Sequence, residues 1–315
     1  MKAVTINNFN GDINSISLID AETPIPAKGE VLVRVYASTV NSMDSETLHG
    51  KWKSAAKNAM RKGVTVTGLE LSGVVASNGQ IFSEGDRVFG YVDIFKGCRA
   101  HAEFVAFPEE YLAIKPGNVS HEEAAVLPIG MLTSLQALAN LARIKEGQHV
   151  LISGASGGVG VYAVQLAKLR ACRVTAVDSS GTLEFLSSLG TDRVLDYKHD
   201  TGLSRENQYD VIFDVAGNLK PRSCKKALRK AGVFVTTNPL NDIVGILMSP
   251  FASKKSKFLL VSKPKKGTLD EVRRLVETGK IKPIIDRVYR IGEIKAAFRR
   301  LEESGRKGRI AISMP

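Results

Sequence analysis

The sequence predicts an α/β chain in two parts, a mostly antiparallel β unit followed by a doubly wound parallel sheet. Three observations carry this. Short β-rich runs separated by Gly, Pro, Asn and Asp fill the first 120 or so residues. From about residue 122, buried apolar strands alternate with helical patterns of ten or more residues. The sharpest strand-to-helix junction, "VLISGASGGVGVYAVQLA" from Val150 to Ala167, places four glycines within seven residues.

In the first part the runs are "EVLVRVYAS" from Glu30, "LSGVVAS" from Leu71, "DRVFGYV" from Asp86 and "AEFVAF" from Ala102. Their β-branched and aromatic content, bounded by turn residues, reads as antiparallel strands. In the second part the strands are "HVLIS" from His149, "RVTAV" from Arg173, "RVLDY" from Arg193, "DVIFDV" from Asp210, "GVFVTT" from Gly232 and "KFLLVS" from Lys257, with helices between them. Strict alternation implies parallel strands joined by right-handed crossovers. After Pro264 come a helix from Thr268 to about Glu277, another from about Glu293 to Glu303, and a last strand "RIAIS".

Composition bounds the function classes. With 315 residues, 43% of them hydrophobic and 24% charged, the chain has room for two cores. Besides the stretch holding the glycine junction, the one long uncharged run, Ala124 to Ala142, contains Pro128, Gly130, Gln136 and Asn140, so it reads as a turn and a buried helix rather than a membrane span. The start has no signal-peptide layout, and a cytoplasmic location is expected. Cys98, Cys172 and Cys224 are scattered, which suits neither a zinc knuckle nor a disulfide framework. The net charge of +12 is spread in small groups, so a solvated basic surface is expected before a polyanion site. The five histidines show no metal-binding spacing.

Gly154, Gly157, Gly158 and Gly160 explain the junction. A chain leaving a strand and entering a helix turns tightly, and bare backbone lets a pyrophosphate reach the unpaired N–H groups at the positive helix end. The next strand ends in Asp178, eighteen residues past Gly160, where an acid can accept from the adenosine ribose hydroxyls. This order of strand, turn, helix, strand and acid predicts a dinucleotide site.

"GEVLVRVYASTVNSMD", "GDRVFG", "LPIGMLTSLQAL", "GASGGVG" and "SLGTDRVLDY" occur in one order along nearly the whole chain. In this the sequence resembles the medium-chain dehydrogenase/reductase superfamily, and within it the zinc-free, zeta-crystallin-like quinone oxidoreductase branch that includes the chloroplast-envelope homologue. The resemblance implies a GroES-like substrate domain (1–122), a Rossmann NAD(P)-binding domain (123–264) and a tail (265–315) that rejoins the first domain. It also implies a cleft between the domains for cofactor and substrate, commonly within a homodimer.

The slots that carry zinc ligands in the alcohol dehydrogenases of this superfamily match Asn41, Leu69 and Ile129, so no catalytic metal is expected. Without a Lewis acid to carry an alkoxide, hydride is better delivered to an acceptor that spreads charge itself, a quinone or an α,β-unsaturated carbonyl. The product anion would take a proton from water. Asn41 resembles the nicotinamide-loop asparagine and is the one candidate orienting residue; a loop asparagine bonded to local backbone is the alternative. Where many relatives carry a tyrosine this chain has Glu46, so no general acid carries over.

The expected cofactor-binding residues are Asn41, Thr133, Ser156, Gly157, Gly158, Val159, Asp178, Ser179, Tyr197, Val215, Thr236, Thr237, Leu260 and Lys307. The branch prefers NADPH, whereas Asp178 at the ribose position favours NADH; NADPH is placed narrowly ahead. An alternative is a nucleotide-binding protein with an RNA- or membrane-associated role. "DIVGILMSPFASKKSK" from Asp242 reads as a substrate flap or subunit contact before a lipid-seeking segment.

Overall fold

The computed structural model describes residues 1–53, 66–93, 97, 99–238, 240, 242–259 and 266–315. The chain gathers into two compact units, one made of residues 1–129, 263–303 and 309–315, the other of residues 130–262 and 304–308.

In the first unit, β1 (Lys2–Ile6) and β2 (Ile16–Asp20) form an antiparallel pair. A seven-stranded sheet is built from β3 (Glu30–Val40), β4 (Glu70–Val75), β5 (Arg87–Tyr91), β6 (Phe104–Pro108), β7 (Leu112–Ile114) and two strands from the end of the chain. β3 is eleven residues long and alternates buried with exposed side chains over its first half, which is how one face of an antiparallel sheet reaches the core while the other meets solvent. Short helices α1 (Ser42–Leu48) and α2 (His121–Ala125) both start at capping boxes, Asn41 with Asp44 and Ser120 with Glu123.

In the second unit, α3 (Pro128–Leu135), whose first two residues belong to the first unit, runs on into a π-helical turn over Gln136–Ala142. Together the helical run 121–142 is long and apolar enough to cross a membrane, yet 78% of its most apolar window is buried in protein. That burial identifies core helix.

Six parallel strands follow: β8 (His149–Ser153), β9 (Arg173–Asp178), β10 (Arg193–Asp196), β11 (Tyr209–Asp214), β12 (Leu228–Thr236) and β13 (Lys255–Phe258). Their order in the sheet is β10-β9-β8-β11-β12-β13. The order reverses at β8, and the carboxyl ends of β8 and β11 therefore flank the crevice where doubly wound sheets bind ligands. Between the strands run α4 (Gly160–Leu169), α5 (Leu183–Ser188), α6 (Pro221–Ala227) and α7 (Ile243–Leu247). Every residue of β8 is buried, as a central parallel strand requires.

The chain ends with α8 (Lys266–Glu277), β14 (Ile285–Arg290), α9 (Ile294–Glu302) and β15 (Arg309–Ser313) in the first unit. β15 pairs antiparallel with β3 and parallel with β14, so both extend the first sheet. Residues 304–308, between α9 and β15, belong to the second unit.

Four strands are absent from the sequence expectation: β1, β2, β7 and β14. β12 begins four residues earlier than expected because Ala231 adopts a φ of 65° and the ladder to β11 slips beside it, which lets the polar stretch "LRKA" enter the sheet.

Candidate functional site

The glycine-rich turn leaves β8 at Gly154, whose φ of +72° suits glycine and whose N–H donates to Val177 O at 3.0 Å. The four glycines are not equivalent. A Cβ on Gly160 would lie 2.1 Å from Gly154 O and 2.6 Å from the Ala155 backbone, so this position is bare because the turn packs upon itself. A Cβ on Gly157 would meet only Gly154 O at 3.5 Å, an ordinary contact. Packing does not require a glycine at 157, and the backbone there is open to a ligand.

Gly157, Gly158 and Val159 are partly exposed at the start of α4, and no side chain caps that helix. Its first amides are thus free of a protein side-chain acceptor, the condition for anion binding at a helix start.

Asp178, at the end of β9, is engaged by backbone. Its Oδ2 accepts the Ser156 N–H and its Oδ1 accepts the Ser179 N–H, both at 2.8 Å. Ser179 is buried, and its hydroxyl has no hydrogen-bond partner in the protein. A buried hydroxyl without a partner costs stability unless a ligand supplies one. The Tyr197 N–H donates to Asp178 O at 3.0 Å, and the Tyr197 ring is exposed.

The segment 304–308 reaches the same turn. The Gly308 N–H donates to Ser156 O at 2.7 Å, and Gly308 bridges to Gly157 in parallel. The Lys307 ammonium sits 6.0 Å from the centroid of Phe185, a residue of α5, and so lies over the helix that follows Asp178.

On the other side of the crevice, the Val215 N–H donates to Ser153 O at 3.1 Å, while the Thr237 hydroxyl donates to Val215 O at 3.0 Å. Thr236 is fully buried. Thr133 is buried inside α3, not at its start. Its neighbour Ser134 donates to Val159 O at 2.9 Å, and a Cβ on Gly130 would strike Gly158 O at 2.3 Å, so α3 packs directly on the glycine turn.

The second unit therefore gathers Thr133, Ser156, Gly157, Gly158, Val159, Asp178, Ser179, Tyr197, Val215, Thr236, Thr237 and Lys307 on its sheet and the elements packed there. Leu260 lies outside the described residues. The bare Gly157 backbone, the uncapped α4 and the orphaned Ser179 hydroxyl fit a dinucleotide.

Asp214 was not singled out by sequence. It is fully buried and accepts from the N–H groups of Gly217 (3.0 Å), Asn218 (3.4 Å) and Leu219 (3.2 Å). Burial raises its pKa, and those amides oppose the shift. It shapes the loop after β11. The signal was the "DVAGN" stretch, an acid followed three residues later by a turn glycine.

In the first unit, Asn41 is buried and caps α1. Its Oδ1 accepts the Met43 N–H at 2.9 Å, while its Nδ2 is buried with no partner. The local-backbone alternative accounts for Oδ1 and leaves Nδ2 as a donor in want of an acceptor. Asp44 accepts from Asn41 N at 3.0 Å and Gly68 N at 3.2 Å, and burial holds its carboxyl above the usual range. The His101 Nε2 faces Thr39 O at 2.8 Å and its Nδ1 faces the Thr67 hydroxyl at 2.7 Å, which assigns the proton to Nε2.

Glu70 is fully buried. It accepts from the Thr39 hydroxyl at 2.6 Å and Ile129 N at 2.7 Å, and it pairs with Arg309. Burial lowers Arg309 to about 10, with Asp44 opposing the shift, so the guanidinium stays charged near neutrality.

Asn41, Leu69 and Ile129 do not fit a zinc ion. An amide and two hydrocarbon side chains, the latter both buried, supply no thiolate, imidazole or carboxylate. Among the described residues no group of three or more His, Cys, Asp or Glu side chains is arranged to hold a metal.

Comparison with known proteins fits this geometry. An alcohol dehydrogenase GroES-like domain family model matches residues 27–137. A zinc-binding dehydrogenase family model matches residues 189–312, a span that contains none of positions 41, 69 and 129. The chain is 31% identical to a chloroplastic quinone-oxidoreductase homologue of Spinacia oleracea over 99% of its length and 98% of the relative's. It is 28% identical to a chloroplastic NADPH-dependent alkenal/one oxidoreductase of Arabidopsis thaliana over 99% of this chain and 79% of that one. The solved quinone oxidoreductase of Coxiella burnetii superposes with a TM-score of 0.90 at 28% identity, covering 100% of this chain and 99% of that one.

Proposed function

This chain belongs to the medium-chain dehydrogenase/reductase superfamily of oxidoreductases, and from that premise we propose that it is a zinc-independent, NADPH-preferring reductase of quinones or α,β-unsaturated carbonyls. The single observation that carries the reading is the Gly157 position, bare without a packing reason and adjoining the uncapped start of α4. It supports a pyrophosphate site.

When bound, the reduced nicotinamide supplies hydride to the acceptor. The chain's own residues bind and orient. The Ser156 to Val159 backbone holds the pyrophosphate. Asp178 braces that turn, because its Oδ2 accepts the Ser156 N–H while Oδ1 is held by the Ser179 N–H. The Ser179 hydroxyl and the Lys307 ammonium suit a ribose 2′-phosphate, which supports the NADPH reading. The buried Nδ2 of Asn41 is a donor for the nicotinamide carboxamide or the acceptor oxygen. Charge that develops on a conjugated oxygen is spread by the acceptor itself and protonated from water, so no protein acid is required at Glu46.

The donor chemistry at 41, 69 and 129 supports zinc independence, and the resemblance supports a homodimer, which light scattering on the intact chain tests. The decisive experiment offers a panel of quinones, enals and enones with NADPH or NADH and follows the absorbance of the reduced cofactor. Turnover that persists in chelator, with a higher kcat/KM for NADPH, is expected. Oxidation of simple alcohols that is lost on chelation would overturn the proposal.

A further inference from the structure

The antiparallel pair β1–β2 is a sheet of its own, and among the described residues no strand covers the outer edge of β2. Backbone groups alternate along the pair. Asn7 N donates to Ser15 O and Ala21 N to Met1 O, both at 2.9 Å, so residues 15, 17, 19 and 21 turn their groups toward β1. Ile16, Leu18 and Asp20 therefore turn theirs away from it.

The outward groups of β1 are used: Val4 N donates to His101 O at 2.8 Å, and Val4 O accepts from Thr67 N at 3.2 Å. On β2 the Ile16 N–H is met by Ile13 O, whereas the Leu18 N–H and C=O and the Asp20 N–H have no hydrogen-bond partner among the described residues. Open edges are ordinarily blunted by lysine, proline or a bulge, because they template pairing with another chain. β2 reads "ISLID", runs in unbroken register and leaves Leu18 42% exposed.

A groove of about 610 Å³ is lined by β2, through Ser17 and Leu18, and by α9 with the turn before it, through Glu293, Lys295 and Arg299. No residue of β1 lines it, which places it at the open edge. Its carboxylate is committed, since Glu293 accepts the Arg290 N–H at 2.9 Å, and Asp20 at the end of the edge pairs with Lys2 at 2.8 Å. Lys295 is partly exposed and Arg299 exposed, and neither forms an ion pair among the described residues. The groove thus presents two unneutralised cations one helical turn apart.

We propose that this edge takes an extended acidic segment of a partner protein, which adds a third strand beside β2 and sets carboxylates against Lys295 and Arg299. Unpaired N–H and C=O groups call for extended main chain, the exposed Leu18 for an apolar side chain, and the two cations for carboxylates. Lys295 and Arg299 stand about 6 Å apart along the helix axis, close to the roughly 6.6 Å between alternate side chains of a strand. Acids at alternate positions match that spacing. A second copy paired through the same edge would bring Lys295 and Arg299 against their own kind, and a nucleic acid would leave the Leu18 backbone unpaired. The proposal is independent of the reductase reading.

The test is fluorescence polarisation of the full chain with a labelled short peptide alternating glutamate and valine. Saturable binding is expected, with none to the matching lysine–valine peptide. Lys295→Glu/Arg299→Glu should weaken it about tenfold. Leu18→Pro removes an N–H that points away from β1, so it keeps the β1–β2 ladder and should also weaken binding about tenfold. N-methylating the probe's pairing amides should do the same, with cofactor binding and circular dichroism of both variants unchanged. Absence of saturable binding overturns the proposal. So does binding that the charge reversals weaken but Leu18→Pro and N-methylation do not, which is charge attraction without a strand. A change of oligomeric state in Leu18→Pro, with no peptide bound by the unaltered chain, assigns the edge to a second copy, and retention of RNA without the peptide assigns the cations to a polyanion; either overturns it.

Discussion

Asp178 Oδ2 accepts the Ser156 amide at 2.8 Å, tying the end of β9 to the glycine-rich turn after β8. Oδ1 accepts the N–H of the next residue, Ser179, which fixes the carboxylate against the end of its own strand while Oδ2 holds the turn. Asp178→Asn keeps one acceptor and turns an amide donor toward an N–H. The lost charge-assisted bond is worth roughly 1.5–3 kcal/mol, so NADPH and NADH should both bind about tenfold more weakly, with their ratio unchanged. Lys307→Ala should instead weaken NADPH alone. Fluorescence titration of both cofactors separates the outcomes; an Asp178 substitution that shifts the ratio toward NADPH would return the carboxylate to the ribose.

Two glycines of the turn make opposite predictions. Gly160→Ala drives a Cβ to 2.1 Å from Gly154 O, a backbone clash that cannot relax by side-chain rotation, and should cost about 3 kcal/mol of stability. Gly157→Ala meets only an ordinary contact and should fold normally, yet its methyl would stand at the proposed pyrophosphate site. Urea denaturation should report Gly160→Ala, and cofactor titration should report Gly157→Ala.

Legibility in the sequence followed locality. The strands β8 to β12 were readable because each contains an apolar run between turn signals, whereas the expected run from Lys257 to Ser262 overlaps the observed β13, "KSKF", only at Lys257 and Phe258, with 260–262 outside the described residues. The glycine junction was readable because its pattern lies in residues close in sequence. β1, β2, β7 and β14 were not: β14 reads "IDRVYR", with no fully buried residue, and forms because β15 lies beside it. The use of Asp178 was half visible. Its place after β9 follows from spacing, but the choice between ribose and the Ser156 amide depends on how the turn folds over it. The reach of Gly308 to Ser156 spans more than 150 residues, and no local pattern announces it.

Asn41 divides cleanly into two roles. Its Oδ1 caps α1 and its Nδ2 is a buried donor without a partner. Serine caps a helix as well as asparagine does. Asn41→Ser should therefore hold stability within about 1 kcal/mol while lowering kcat about tenfold or more through loss of the orienting donor. Steady-state kinetics beside a melting curve checks this, and unchanged kcat would reduce Asn41 to a cap.

The Glu70–Arg309 pair joins β4 to β15 inside the first unit. Arg309→Met leaves a buried carboxylate with only the Thr39 and Ile129 donors, and should cost about 3–5 kcal/mol. Glu70→Gln combined with Arg309→Met removes both charges and should recover part of that loss. A double-mutant cycle by chemical denaturation gives the coupling, which should be at least about 1 kcal/mol for residues in direct contact.

His121 predicts an acid limb of stability. Its ring stacks on Tyr36 at 4.9 Å between centroids, and its Nδ1 lies 2.8 Å from the Ser72 hydroxyl. Because that hydroxyl donates to Val88 O at 3.0 Å, Nδ1 is the donor in the neutral ring. Burial, reinforced by Lys115, depresses its pKa to about 4. The unfolded chain takes up this proton near pH 6.5, the folded chain only near pH 4, so between those values the unfolded state binds more protons and stability falls with acid. The contribution is complete above pH 6.5 and is lost as pH drops toward 4, by about 1–2 kcal/mol after allowing for partial exposure. His121→Gln should flatten that part of the profile, measured as the unfolding free energy against pH; an equally steep slope in the variant would assign the acid limb to other groups.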